Sequence, residues 1–373
     1  MPPQVARTLR VIEPNLTGHS GHYAEFVRGL AARATGIFET LDVMGSTSAA
    51  GALDDQPRVR FRGAFGAGGT HASEASALRE ALEAGDPFLV LTAHAAHAPL
   101  LAWLARGRRR AGLGAARLYF HWRERSALDR ALVAAAPRVR EDAVAIAPTR
   151  PTAEFLRAQG WRRVAEVPYP MLAPEAPPAA RAFRHLLVAG AARVNKGLAL
   201  VVELAERLGR ERDPTPLVVQ TTPKRRSGRR GSSEEALLAR LARSGAPGLA
   251  ASDIAPDARA YGERFAGALV LAPYDPAHFA DNVSGVVLDA LLRGAPVIAS
   301  EGSWPGRMVE RFGAGALLRE RTGAALARAV REVRADWEGA SARARAAAPV
   351  LAAEHDPAHL ARVLRDGVPG GPR

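Results

Sequence analysis

No cysteine occurs in the 373 residues, so disulfide frameworks, thiolate zinc sites and cysteine nucleophiles are excluded together. Long apolar runs are missing as well. The opening stretch "MPPQVARTLRVIEP" lacks the continuous apolar segment of a signal peptide, and no later run approaches the ~20 apolar residues of a membrane span. The expected location is therefore the cytoplasm, with any membrane contact peripheral and at the inner face.

Lysine is nearly absent. Of the 51 lysines and arginines only Lys196 and Lys224 are lysine, and the net charge is +13. Such a balance favours anionic partners: phosphates, an acidic membrane surface or nucleic acid. Aromatic residues make up only 6% and none interleaves with the arginine clusters, as stacking on single-stranded nucleic acid requires. A basic nucleic-acid-binding protein is thus the non-enzyme alternative rather than the expectation. With 47% hydrophobic and 24% charged residues the chain is an ordinary globular one, long enough for two domains.

Short β-type runs alternate with amphipathic helical ones: "TLRVIEP", "HYAEFVRGLAARA", "ETLDVMG", then "PFLVLTA", "ARLYFH", "DAVAIAP" and "RVAEVPYP". In the first helical run Tyr23, Phe26, Val27, Leu30 and Ala31 fall on one face. Such alternation implies a parallel sheet covered by helices. A proline-rich stretch, "LAPEAPPAARA", interrupts it, and the pattern then restarts with "RHLLVAG", a helix from Lys196, "PLVVQTT", a helix from about Ser232, "AGALVLAP", a helix from Ser284, and "PVIAS". The expected layout is an N-terminal Rossmann-like domain over 1–172, a linker over 173–183, a second Rossmann-like domain over 184–345, and a C-terminal helix and tail over 346–373. Two such α/β domains would face a central cleft.

"HLLVAGAARVNKGL" places Arg193 and Lys196 in the turn between a buried strand and the next helix, at the carboxyl edge where open α/β sheets bind ligands. Two cations beside a helix N-terminus suit a phosphate or diphosphate; a solvated basic loop is the alternative. The turn is not a Walker loop, because no glycine precedes the lysine and Gly197 stands where Ser or Thr is required. In "YDPAHFADNVSGVVLDALLRGAPVIAS" Asp281 precedes a helix, Ser284 is its expected N-cap, and Asp289 sits within the apolar run "VVLDALL". A carboxylate in such surroundings needs a partner: either Arg293 one turn on, or the vicinal hydroxyls of a ribose or sugar.

The run "DNVSGVVLDALLRGAPVIAS", with acids eight apart followed by Gly-x-Pro-Val-Ile, resembles the E-x(7)-E signature of the retaining GT-B glycosyltransferases, in particular the large family four group. "ARVNKG" resembles that family's diphosphate turn, "NLTGHSGHYAEFVRGLA" its glycine-rich loop after the first strand, and "VAIAPTRPTAEFLRAQGWRRVAEVPYP" the close of its N-terminal domain. The similarity runs in order through most of residues 8–320. Here both acids are aspartates, one methylene shorter, and Ser284 takes the place of a glycine, with Gly285 one later.

The resemblance implies a GT-B fold and a hexosyl transfer, with retention and without an essential metal or cofactor, from a nucleotide diphosphate sugar to a glycan or lipid-linked acceptor in polysaccharide or glycoconjugate biosynthesis. It implies that Asp289 holds the donor ribose and Asp281 the transferred sugar, with Asn282, Ser284 and Gly285 in the same donor segment. Arg193 and Lys196 would neutralise the diphosphate, Gly18 and Gly21 admit donor phosphates to backbone amides, and His121 lie near the reacting sugar. A sugar-nucleotide epimerase on the same scaffold is the enzymatic alternative. His94 and His97 take either a ligand-site or a structural role, Trp304 borders the donor site or packs, and the arginine runs at 106–110 and 223–230 read as solvated or as contacts to acidic lipid and donor respectively. No H-E-x-x-H, G-x-S-x-G or D-x-D occurs, so metalloprotease, esterase and metal-dependent GT-A signatures are missing.

Overall fold

The structure, a computed structural model, describes residues 6–18, 21–66, 70–106, 110–124, 126–222 and 231–368. The chain divides into two compact units, one of Met1–Leu172 with His355–Arg373 and one of Ala173–Glu354.

The first unit contains a seven-stranded sheet: β1 (Ala6–Ile12), β2 (Phe38–Ser46), β3 (Val59–Phe65), β4 (Phe88–Val90), β5 (Ala116–Tyr119), β6 (Val144–Ala147) and β7 (Val164–Glu166). Its order is β3-β2-β1-β4-β5-β6-β7, and every neighbouring pair is parallel. The strand order reverses beside β1, which leaves a crevice at the carboxyl ends of β1 and β4. β1 is fixed in register against β2 by apolar pairs such as Leu9 with Leu41 and Val11 with Val43. The helix His22–Arg33 buries Phe26, Val27, Leu30 and Ala31 as its periodicity predicts, whereas Tyr23 stays half-buried near its start. β3 was not apparent in sequence, because "VRFRGAF" alternates arginine with apolar residues on an edge strand.

The second unit repeats the plan with six parallel strands: β8 (His185–Val188), β9 (Leu217–Gln220), β10 (Leu249–Ser252), β11 (Ala268–Ala272), β12 (Val297–Ser300) and β13 (Gly315–Leu318), ordered β10-β9-β8-β11-β12-β13. Its switch point lies between β8 and β11. The helix expected from Lys196 begins two residues later, at Leu198. Gly197 adopts φ +80°, which ends a short 3-10 turn over Val194–Lys196 before the α-helix starts. Residues 173–184 carry no helix or strand, and the indole of Trp337 donates to the Arg181 carbonyl (2.8 Å).

The C-terminal region is less simple than a single helix and tail. The helix Trp337–Glu354 runs unbroken across residue 345, and a second helix, Pro357–Asp366, begins after an Asp356 cap. That last helix belongs to the first unit. It packs on the helix His22–Arg33, buries Leu360, Ala361 and Leu364, and is tied down by Met171 N–H donating to the His355 carbonyl (2.8 Å).

Candidate functional site

In the second unit the turn after β8 is shaped by two glycines. Gly190 has φ +78°, and a methyl group there would stand 3.3 Å from Val286 Cγ2 and 3.5 Å from Lys196 Nζ. The Lys196 ammonium therefore lies over the Gly190 backbone, against the first turn of the helix Gly285–Leu292, and 5.3 Å from the Tyr274 ring centre. The turn is held from below: Lys196 N–H donates to the Arg193 carbonyl (3.1 Å), Asp275 N–H to the Asn195 carbonyl (2.9 Å), and Gly190 N–H to Gln220 Oε1 (3.1 Å). Among the described residues, neither Arg193 nor Lys196 forms an ion pair, and the buried Arg193 Nε has no hydrogen-bond partner. Elsewhere arginines commonly pair with acids, as Arg10 does with Asp42 and Arg240 with Glu206. Lys196 thus stands without an ion pair at a sheet's carboxyl edge, beside a helix N-terminus, where a cation suits an anion, and Arg193 leaves from the same turn.

Ser284 caps that helix, its hydroxyl accepting from Val287 N–H (3.4 Å), while Gly285 leaves open space where a side chain would stand. Asp289 is 16% exposed, and both carboxylate oxygens are engaged: Arg293 Nη1 donates to Oδ1 (2.6 Å) and Tyr261 O–H to Oδ2 (3.1 Å). The ion pair weighed against a ribose role from sequence is thus present, with a tyrosine added to it. Each carboxylate oxygen can accept a second bond, so the pairing orients the group without exhausting it. Burial, and then the Asp289 charge, push the Tyr261 hydroxyl well above its usual range, so it remains a proton donor. Tyr261→Phe is expected to lower stability by about 1.5 kcal/mol, the worth of a hydrogen bond to a charged acceptor, measured as a shift in the urea midpoint.

The other acid, Asp281, has Arg307 Nη2 at 3.9 Å. Asn282 turns its amide back to donate to the His278 carbonyl (2.8 Å). Trp304 is buried at the start of the helix Trp304–Phe312, where it packs. Arg321 was not foreseen: its Nη1 donates to the carbonyls of Pro273 and Tyr274 and to Ser300 Oγ, which locks the exits of β11 and β12 together. A surface cavity of about 650 Å³ opens beside the turn and is lined by Arg193, Asn195, Glu203, Asp275, His278 and Arg321 among others. Arg193 shares this cavity with Glu203, Glu234 and Asp275, whereas Lys196 and Asp289 are outside its lining.

In the loop after β1, Gly21 precedes the helix His22–Arg33 with φ +102°, and Gly18 faces open space. The exit of β4 is a hub of hydrogen bonds. His121 Nε2–H donates to the Leu91 carbonyl (2.9 Å), Thr92 O–H to Glu13 Oε2 (2.5 Å), and Ala95 N–H to Glu124 Oε1 (3.1 Å). Phe26, Tyr119, Trp122 and Tyr169 surround the His121 ring, and burial lowers its pKa to about 4. The imidazole is consequently neutral near pH 7 and offers Nδ1 as an acceptor. His97 is buried, its pKa lowered to about 3 by burial and then by His94, and its Nδ1 accepts from His94 N–H (3.0 Å).

Glu74, His94 and His97 bring one possible ligand atom each within 4.8 Å of one another. The neutral His97 ring already spends Nδ1 on an amide and carries its proton on Nε2. As it stands this is a hydrogen-bonding cluster. The arginine run at 223–230, and 107–109 within the other, lie outside the described residues.

No protein-family profile and no curated protein matches the chain. Solved structures do. The chain is similar to sucrose-phosphate synthase from Thermosynechococcus elongatus, with 15% identity over 95% of this chain and 96% of that one and a TM-score of 0.68. It is similar to HepE from Anabaena in complex with UDP and glucose, with 12% identity over 95% and 97% of the two chains and a TM-score of 0.68. It is also similar to WaaG, a glycosyltransferase involved in lipopolysaccharide biosynthesis, with 13% identity over 96% and 100% and a TM-score of 0.64. The fold is that of the GT-B glycosyltransferases, as the resemblance in sequence implied.

Proposed function

We propose that the protein is a glycosyltransferase that binds a nucleotide diphosphate sugar on its second unit and passes the sugar to an acceptor hydroxyl bound on its first. The single observation that carries this reading is the pair Arg193 and Lys196, neither in an ion pair among the described residues, on the turn at the switch point of a GT-B sheet. As the bond from the anomeric carbon to the diphosphate breaks, negative charge grows on the leaving oxygen. Cations already in place stabilise that charge more than they stabilise the bound donor. In the same reading Asp289, oriented by Tyr261 and Arg293, accepts hydrogen bonds from the donor ribose, and Asp281 with Asn282, Ser284 and Gly285 borders the sugar.

A uracil base is the first to test, since HepE is seen with UDP and glucose. Retention of configuration and independence of metal follow from the sequence resemblance. A role in polysaccharide or glycoconjugate synthesis is supported by the likeness to WaaG, and peripheral contact with an acidic membrane by Trp103, Trp122 and Leu128, which are 52%, 41% and 69% exposed on an arginine-rich chain. No helix among the described residues is long and apolar enough to cross a membrane.

The test is calorimetric titration of the wild type and Asp289→Ala with UDP, GDP, ADP and dTDP in the presence of EDTA. One nucleotide is expected to bind with micromolar affinity and to lose at least tenfold in the variant, or about 1.4 kcal/mol. Failure of all four to bind the wild type would overturn the reading.

A further inference from the structure

Glu13 stands at the carboxyl end of β1, one residue past Ile12, and is completely buried. No arginine, lysine or histidine pairs with it among the described residues. Among the described residues its partners are neutral donors: Asn15 N–H (2.7 Å) and Asn15 Nδ2–H (2.9 Å) reach Oε1, and Thr92 O–H reaches Oε2 (2.5 Å). The Glu13 N–H in turn donates to the Met44 carbonyl of β2 (3.0 Å). One side chain thus joins the start of the loop that carries Gly18 to the first residues after β4, the same segment that His121 and Glu124 hold from β5. Neither the strand nor the core needs a carboxyl group here. A buried carboxylate without a counter-charge is costly, and an apolar or amide side chain would fill the space at lower cost.

We propose that Glu13 is a positioning residue for the ligand edge of the first unit: through Asn15 and Thr92 it holds the loop after β1 against the exit of β4, and it holds them most firmly when it carries a proton. Calling this the ligand edge rests on the proposed glycosyl transfer; the latch itself does not. The protonated acid can donate to Thr92 Oγ, which reverses that hydrogen bond, while Oε1 continues to accept from Asn15. The ionised form places a charge in a dry site, to which Glu74 in the first turn of the helix His71–Ala84 adds repulsion. His94 and His97 lie beside Glu74, and His97 is neutral.

Burial is the main cause that raises the Glu13 pKa from 4.5 to about 7. The sign follows from linkage. An opened loop lets water reach the carboxyl and returns its pKa towards 4.5, so the closed form binds more protons than the open form between about 4.5 and about 7. Closure is therefore strongest below that window and weakens as pH rises through it. The closed-to-open ratio should fall by up to about three hundredfold and then level off.

Hydrogen exchange of the ligand-free wild type and Glu13→Gln, corrected for the intrinsic pH dependence of exchange, reads this directly in peptides covering 13–18. The wild type is expected to lose protection between pH 5 and pH 8, whereas the variant, which cannot ionise, stays protected throughout. The melting temperature of the variant should exceed that of the wild type more at pH 8 than at pH 5. If the two proteins show the same pH dependence, or the wild type shows none, the proposal is overturned. Thr92→Val keeps the shape and removes the hydroxyl, so it provides a second arm should Glu13→Gln not fold. It is expected to lose protection at every pH, and unchanged protection would equally overturn the latch. Because no substrate is present, failure here leaves the glycosyltransferase reading standing, and absence of nucleotide binding leaves the latch standing.

Discussion

Lys196→Ala is expected to lower turnover at saturating donor about a hundredfold, or ~3 kcal/mol, by analogy with the loss of one preplaced donor from an oxyanion site. Stability should change by no more than about 0.5 kcal/mol, because among the described residues Lys196 makes no ion pair whose loss would strand a buried acid. Arginine at the same position is not an equivalent replacement. The space beneath the ammonium is bounded by Gly190, Val286 and the Tyr274 ring, and a planar guanidinium needs more room than a point charge. Steady-state kinetics of Lys196→Ala with saturating nucleotide sugar, paired with a melting curve, decides the matter. Intact turnover would remove Lys196 from the transition state.

Gly197→Ala should act on stability as well, costing about 3 kcal/mol, read as a fall in the urea midpoint. Two causes add. Gly197 sits at φ +80°, where an L side chain is strained, and its Cβ would stand 2.3 Å from the Pro273 carbonyl oxygen, a backbone atom that Arg321 holds in place. Relief requires the whole turn to move, and with it Arg193 and Lys196. Nucleotide affinity of the folded fraction should fall along with stability. A Gly197→Ala protein that melts with the wild type would show the turn to be more compliant than its packing implies.

Much of the fold was legible because buried parallel strands such as "HLLV" and "ALVLA" are continuous apolar runs between helical periods. The strands that escaped were β3, β10 and β13, each at the margin of its sheet. β10, "LAAS", offers small and half-exposed side chains that carry no strand signal. Within the candidate site, Arg193 and Lys196 could be read because their meaning is local: a strand, a turn and a helix in one stretch. Tyr261, Arg321 and Thr92 could not, since they lie 28, 47 and 79 residues from their partners Asp289, Tyr274 and Glu13. Glu13 itself reads as an ordinary charge at a strand end, and only the sheet reveals that β4 closes over it.

The Pro357–Asp366 helix has a consequence for how the chain comes into being. The second unit is an insertion in the first, whose sequence is interrupted at Leu172 and resumes at His355. During synthesis the flank of the helix His22–Arg33 around Gly29, which Pro357 and Leu172 cover, has no lid until Pro357 and its helix have left the ribosome. The second unit has all its parts as soon as Glu354 emerges. The half of the protein made later is thus the one that can finish folding first.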